Sequence, residues 1–292
     1  MSVHSGFVAS RSGEQIAVYD WPHVELARPR AAVLLVHSHS EYGMRHNLLA
    51  QRLTHMGCLV RAYDQFGHGD STGKRGLMLS MTQFGEDLAD VLADWRKSLG
   101  ADVPVILLGH GTGALGIGSA LLHSGQQVDG VVFSSPLLRL VLSPWQRLKL
   151  IVVRSLAPNF IAETDSNPEY ISRDPHAVLL FEHDKKRMTK ICVRFVDFMF
   201  RTGEEMVRKA GRWAPRTLVL YAGSDQYTEV LATQEFLAAA PAQVESQNFQ
   251  ALYHEIFNEP EREQVYRRLE QWLDKRYPKA VPQRVTRLAG LV

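Results

Sequence analysis

Three stretches of this chain set reactive side chains just past short apolar runs. "GSD" at 223–225 ends on Asp225, "LYHE" at 252–255 carries His254, and "PVILLGHGTGALG" at 104–116 turns sharply through glycines. A carboxylate that orients an imidazole, and an imidazole that takes a proton from an attacking group, form the base half of nucleophilic catalysis. The order turn, acid, histidine is that of enzymes that carry a serine on a strained strand-to-helix turn, G-x-S-x-G. Gly109, Gly111 and Gly113 match that turn, but Gly111 stands at the serine position. An acid and a base are therefore expected without the hydroxyl they would serve.

Other patterns compete for the same residues. Gly111, Gly113 and Gly116 also spell the G-x-G-x-x-G of a dinucleotide loop. That loop needs an acidic residue about 20 positions on, at the end of the next strand. Here that strand ends in "VVFSSP", and Asp129 precedes it. A literal G-x-S-x-G occurs at Gly69–Gly73 around Ser71, but "KRGLML" follows it rather than a helix, so Ser71 is expected in a structured loop. "HSHSE" at 37–41 spaces His37, His39 and Glu41 as metal ligands can be spaced. The chain order βαβα is not that of the metallo-hydrolases that use such a motif, and no metal or cofactor is expected.

The elements that must position these groups follow from periodicity. Apolar, β-branched runs at 31–36, 58–63, 104–108, 130–134, 216–222 and 244–249 are expected strands, most of them buried on both faces. Helical patterns at 44–56, 80–98, 112–124, 228–239 and 260–275 lie between them. In the second of these, Phe84, Leu88, Val91, Leu92 and Trp95 share one face. Alternation of this kind predicts an α/β fold, a mostly parallel sheet flanked by helices. Residues 137–213 break the rhythm with at least two helical patterns and no good strand. An insertion that long is usually functional, often a lid. The expected organisation is a core of 1–136 and 214–278, a helical cap at 137–213, and a tail at 279–292.

Bulk properties set limits. The 292 residues are 45% hydrophobic and 22% charged, ordinary for a globular protein with a sizeable core. A net charge of +2 gives no broad case for nucleic acid. The N-terminus lacks the apolar region of a secretory signal, and no apolar run reaches bilayer length. Cys58 and Cys192 sit in apolar contexts and read as core residues. A cytoplasmic location is expected.

With these motifs assembled, the chain resembles the monoacylglycerol lipase and lysophospholipase-like branch of the α/β-hydrolases, of serine aminopeptidase type, over about residues 12–275. "VLLVHSHSEYG" is similar to the family's V-H-G-x-x-E-H-S segment, and "RAYDQFGHGDSTGKRG" to its D-x-x-G-H-G-x-S-x-G loop. "PVILLGHGTGALG" is similar to its G-H-S-M-G-G elbow, and "YISRDP" to a cap signature. "GSDQYTE" and "YHEIFNEP" match its acid and histidine segments. The resemblance implies Asp225 and His254 as catalytic, Gly111 as a vacant nucleophile position, and the N–H groups of His39 and Thr112 as the oxyanion hole. It implies a lipid-like or ester small molecule as substrate.

The departures are Gly111 for serine, Ala114 for glycine, and Ser38 for the glycine of H-G. Several departures together argue for natural divergence rather than a laboratory change, which alters one residue. Glycine tolerates the strained turn, so the fold should survive. Acyl-enzyme chemistry at position 111 cannot, and His254 with Asp225 would then activate water or a substrate proton. The alternatives are a pseudoenzyme that binds a lipid-like ligand without turnover, and an engineered nucleophile-less hydrolase.

Overall fold

A computed structural model describes residues 2–22, 28–123, 125–140, 143–164 and 167–279. Ten strands are formed: β1 (His4–Ala9), β2 (Gln15–Trp21), β3 (Ala31–Val36), β4 (Cys58–Tyr63), β5 (Val105–His110), β6 (Gly130–Ser134), β7 (Ile161–Glu163), β8 (Lys190–Cys192), β9 (Thr217–Ala222) and β10 (Val244–Phe249). The eight α-helices are α1 (Asn47–His55), α2 (Gln83–Arg96), α3 (Gly113–His123), α4 (Pro144–Leu156), α5 (Pro175–Glu182), α6 (Val193–Arg208), α7 (Val230–Ala239) and α8 (Arg262–Arg276). One eight-stranded sheet runs β1-β2-β4-β3-β5-β6-β9-β10. It is parallel from β4 to β10, with β1 and β2 antiparallel at one edge.

All six expected strands form, and the apolar runs explain why. Every residue of β3, β5, β6 and β9 is buried. Along β3, Ala32, Leu34 and Val36 enter a core shared with α2, α3, α6 and α7, while Ala31, Val33 and Leu35 enter one shared with α1 and α8. The period-2 alternation of a strand thus feeds two hydrophobic layers. Phe84, Leu88, Val91, Leu92 and Trp95 of α2 all join the first layer, as their helical spacing predicts.

β1 and β2 were not expected. β1 is an edge strand whose residues are mostly exposed, so it lacks the continuous apolar run that marks the central strands. Residues 137–213 also hold two strands, β7 and β8, which pair antiparallel over three residues each, too short to leave a sequence signal. Within that segment α6 buries Phe195, Phe198 and Met206 in the α2–α3 layer. No helix among the described residues is long and apolar enough to cross a membrane.

β5 and α3 meet at the turn that the site requires. Gly111 has φ +52° there, in the left-handed region that glycine occupies at little cost. Gly113 packs against the end of β3 so closely that a Cβ would lie 2.2 Å from the Val36 carbonyl oxygen. That atom is backbone and cannot swing aside. Gly113→Ala should therefore lower stability by about 3 kcal/mol or more, the upper range for overpacking a core. Gly116→Ala in the same helix, whose nearest neighbour would lie 3.8 Å away, should be neutral or stabilise by up to about 1 kcal/mol. Urea unfolding of the two variants checks the pair.

Candidate active site

Asp225 lies three residues past β9, and His254 five past β10, so adjacent parallel strands deliver them to the same end of the sheet. His254 Nδ1 and Asp225 Oδ2 are 2.8 Å apart, and both side chains are buried. Asp225 Oδ1 accepts the N–H groups of Tyr227 at 2.8 Å and Thr228 at 3.2 Å. The carboxylate is thus held by its own loop, with its second oxygen left for the imidazole. Burial pushes the His254 pKa down, but the Asp225 carboxylate, with Glu255 and Glu41 behind it, outweighs this and raises it above the ordinary 6.5. Tyr227 packs edge-on to the His254 ring at 5.2 Å.

The opposite ring nitrogen faces Gly111. A Cβ on Gly111 would lie 3.2 Å from His254 Nε2, 2.5 Å from Ser38 Oγ and 3.0 Å from Ser38 Cβ. So the turn, the acid and the histidine are brought together, and a hydroxyl from the β3 loop stands beside the vacant position. Thr112 N–H points to the same place and donates to Ser38 Oγ at 3.2 Å. His39, one residue on, is buried, stacks on Phe195 with 4.6 Å between ring centroids, and has its pKa pushed down to about 3 by burial.

A buried charge network holds this loop. Glu41 accepts the Ser38 N–H at 3.0 Å and meets Arg45 at 3.4 Å and His46 at 3.3 Å. Burial opposes ionisation of Glu41, yet its contacts with His46 and Arg45 hold its carboxyl well below the usual range. Arg45 reaches on with two 3.0 Å contacts to Glu255, the neighbour of His254. From the other side, "YISRDP" clamps the histidine loop: Ile171 C=O accepts the Glu255 N–H at 2.7 Å, and Arg173 Nε donates to the fully buried Glu259 at 2.7 Å. Sequence reasoning named neither Arg45–Glu255 nor Arg173–Glu259. The only hint was that Glu255, Glu259 and Arg173 sit inside family-like segments, with Arg45 two residues past another.

The competing motifs have other duties. Ser71 Oγ donates to the Asp64 carbonyl at 2.6 Å and accepts the Ala17 N–H at 2.8 Å, which ties the loop to β2. His37 Nδ1 donates to the Ser38 carbonyl at 2.7 Å while Nε2 accepts the Gln65 N–H at 2.9 Å. Both ring nitrogens are thus engaged within the protein.

The groups line a cavity of about 220 Å³. Ser38, His39, Thr112 and His254 form its polar side, and Leu137, Leu140, Ile171, Phe181 and Met199 its apolar wall. Chemically, the arrangement offers a general base backed by a carboxylate, a backbone N–H at a helix start, and a greasy space for a substrate.

Comparison with known proteins finds similar chains and a similar fold. The chain is 29% identical over 260 residues to a monoacylglycerol lipase of Mycolicibacterium smegmatis, covering 84% of this chain and 88% of that one. It is 28% identical over 253 residues to phospholipase YtpA of Bacillus subtilis, covering 85% and 96%. An abhydrolase domain-containing protein of Dictyostelium discoideum is 27% identical over 87% of this chain, which spans only 27% of that longer protein. The crystal structure of the monoacylglycerol lipase of Paleococcus ferrophilus superposes with a TM-score of 0.78 at 23% identity, over 94% of this chain and 100% of that one. The fold is therefore the α/β-hydrolase fold. The profile of the serine aminopeptidase, S33, family matches residues 27–261, and the chain belongs to that family.

Proposed function

We propose that this protein hydrolyses the ester of a neutral, lipid-like small molecule, with His254 and Asp225 as a general-base dyad. One observation carries the reading. A buried imidazole is hydrogen-bonded to a buried carboxylate at 2.8 Å, and its free nitrogen faces the space above Gly111 at the floor of an apolar cavity. A site that only bound a ligand would not need a carboxylate with two backbone donors behind that imidazole. His254 takes the proton of an attacking hydroxyl that residue 111 does not supply. The backbone N–H groups of Thr112 and His39, two residues that line the same cavity, are the donors for the oxyanion in this reading.

The neutral substrate follows from the lining charges. The two relatives named above comprise a monoacylglycerol lipase and a phospholipase. Among the described residues no lysine or arginine lines this cavity, whereas Glu41 and Glu255 do. His39 and His110 are held neutral, each with its pKa near 3 through burial. A phosphate headgroup would face carboxylates and find no free cation. The uncharged glycerol of a monoacylglycerol carries no such penalty.

Turnover of a monoacylglycerol should exceed that of a lysophospholipid with the same acyl chain by at least about tenfold in kcat/KM, a difference of about 1.4 kcal/mol. A release assay for free fatty acid reads both; equal rates would reject the neutral-headgroup reading.

His254 must be neutral to accept a proton, and its pKa is raised. Activity should therefore fall on the acid side, with a midpoint above 6.5, and level off at higher pH. His254→Ala should abolish turnover while changing ligand affinity only a few-fold. Asp225→Asn should reduce kcat by about 10⁴, as loss of the orienting carboxylate does in a serine protease. A pH–rate profile with no acid limb, or turnover that survives His254→Ala, would sink the dyad.

Gly111→Ser alone should gain little, because its Cβ meets Ser38 Oγ at 2.5 Å and Ser38 Cβ at 3.0 Å. Gly111→Ser combined with Ser38→Gly clears both atoms and should become reactive to a fluorophosphonate at position 111. Peptide mass mapping of the single and double variants distinguishes them.

A further inference from the structure

We propose that Ser38 is the nucleophile, so that the attacking hydroxyl comes from the loop after β3 rather than from the turn after β5. This rests on the ester-hydrolase reading above and names the group that reading leaves open. Three contacts carry it. Ser38 Oγ and His254 Nε2 both border the point where a side chain on Gly111 would begin, at 2.5 and 3.2 Å. Thr112 N–H donates to Ser38 Oγ at 3.2 Å. That N–H, at the start of α3, orients the hydroxyl in the free protein and passes to the substrate's carbonyl oxygen as the oxyanion forms. Finally, the Ser38 N–H is anchored on Glu41, itself held by Arg45 and His46. The hydroxyl is thus placed by a buried network and faces the cavity with Thr112 and His254.

The lengths also show that, with Ser38 in this rotamer, a side chain on Gly111 would displace the hydroxyl. With serine at 38, any Cβ at 111 would press on the hydroxyl, so the two positions are coupled. Thr112 Oγ1 lies 3.3 Å from Ser38 Oγ and belongs to the same cluster. It is the nearest competing hydroxyl, but the atoms beside the Gly111 Cβ point are those of Ser38 and His254. Ser71 is held between Asp64 and Ala17.

The step balances without further reagents. Ser38 Oγ bonds to the ester carbonyl carbon as His254 Nε2 takes its proton. The carbonyl π pair moves onto oxygen and is held by backbone N–H groups. When it returns, the alcohol leaves with the proton from His254, and an acyl ester remains on Ser38. Water then attacks that ester, gives a proton to His254, and the acid leaves as the proton returns to Ser38 Oγ.

The test is reaction of the full chain with a fluorophosphonate, mapped by peptide mass spectrometry, beside turnover of a monoacylglycerol. The expected result is one adduct per chain on Ser38, lost in Ser38→Ala and in His254→Ala. Ser38→Ala should lower kcat by about a thousand-fold or more with KM little changed, since loss of a nucleophilic serine costs about 10⁶ in subtilisin. Ser38→Cys, a conservative change, should accumulate an acyl thioester visible by intact mass with an activated ester. An adduct on Thr112, Ser71 or elsewhere overturns the proposal. So does full turnover in folded Ser38→Ala, which would leave the dyad acting on water and the ester-hydrolase reading intact. Labelling at Ser38 without turnover of any neutral ester would instead support Ser38 and reject the substrate reading.

Discussion

The site depends on one close approach: the backbone at the end of β3 presses on the backbone at the start of α3. Gly113 lies where a Cβ would be 2.2 Å from the Val36 carbonyl oxygen. This contact fixes the loop that carries Ser38 and His39 against the turn that carries Gly111 and Thr112. Two backbones can approach so closely only where one has no side chain. Because the contact is backbone on backbone, the fold sets the placement of the Ser38 backbone relative to Thr112 N–H and Gly111, and the Ser38 side chain spans the remaining gap.

Charge buried behind that contact does the rest of the positioning. Glu41, Arg45 and Glu255 form a chain from the β3 loop to the residue after His254. Removing Arg45 would leave two buried carboxylates without the cation they share, which is why such networks fix loops firmly whatever their net contribution to stability. Arg173 and Glu259 brace the histidine loop from the other side. The imidazole is thus held between two charged clamps and a carboxylate, and its nearest ring neighbour, His110, is kept neutral by burial at 4.7 Å. A protonated His110 there would drive the His254 pKa down and work against Asp225.

Much of this was legible in the sequence, for identifiable reasons. The central strands carry uninterrupted apolar runs because both faces are covered, and those runs locate β3, β5, β6 and β9 to within a residue or two. Asp225 was noticed because it follows such a strand, β9, and His254 because it follows the more polar edge strand β10. The edge strand β1 escaped because only Val8 of its six residues is buried, so neither an apolar run nor a clean polar–apolar alternation marks it. Helix α5 escaped although Asp174 caps it and Pro175 begins it, a start signal that eight residues of weak periodicity hid. Ser38 was visible as a departure, but its contact with the Gly111 position joins residues from two strands, and no spacing along the chain encodes that.

The two departures at the site acquire a common meaning once they are adjacent in space. Serine stands at 38 where the resemblance expects glycine, and glycine at 111 where it expects serine. Either change alone is awkward. Serine at both positions would crowd an oxygen and a Cβ to 2.5 Å, and glycine at both would leave His254 without a hydroxyl beside it. The exchange keeps one hydroxyl and one bare Cα in the same small volume, under the same imidazole and the same Thr112 N–H. On the Ser38 proposal, a hydroxyl reaches this small volume from the loop after β3 rather than from the turn after β5. The retained Asp225–His254 pair is then the expected companion of the exchange, because a base with two backbone-held carboxylate contacts behind it is maintained where a hydroxyl is still there to be deprotonated.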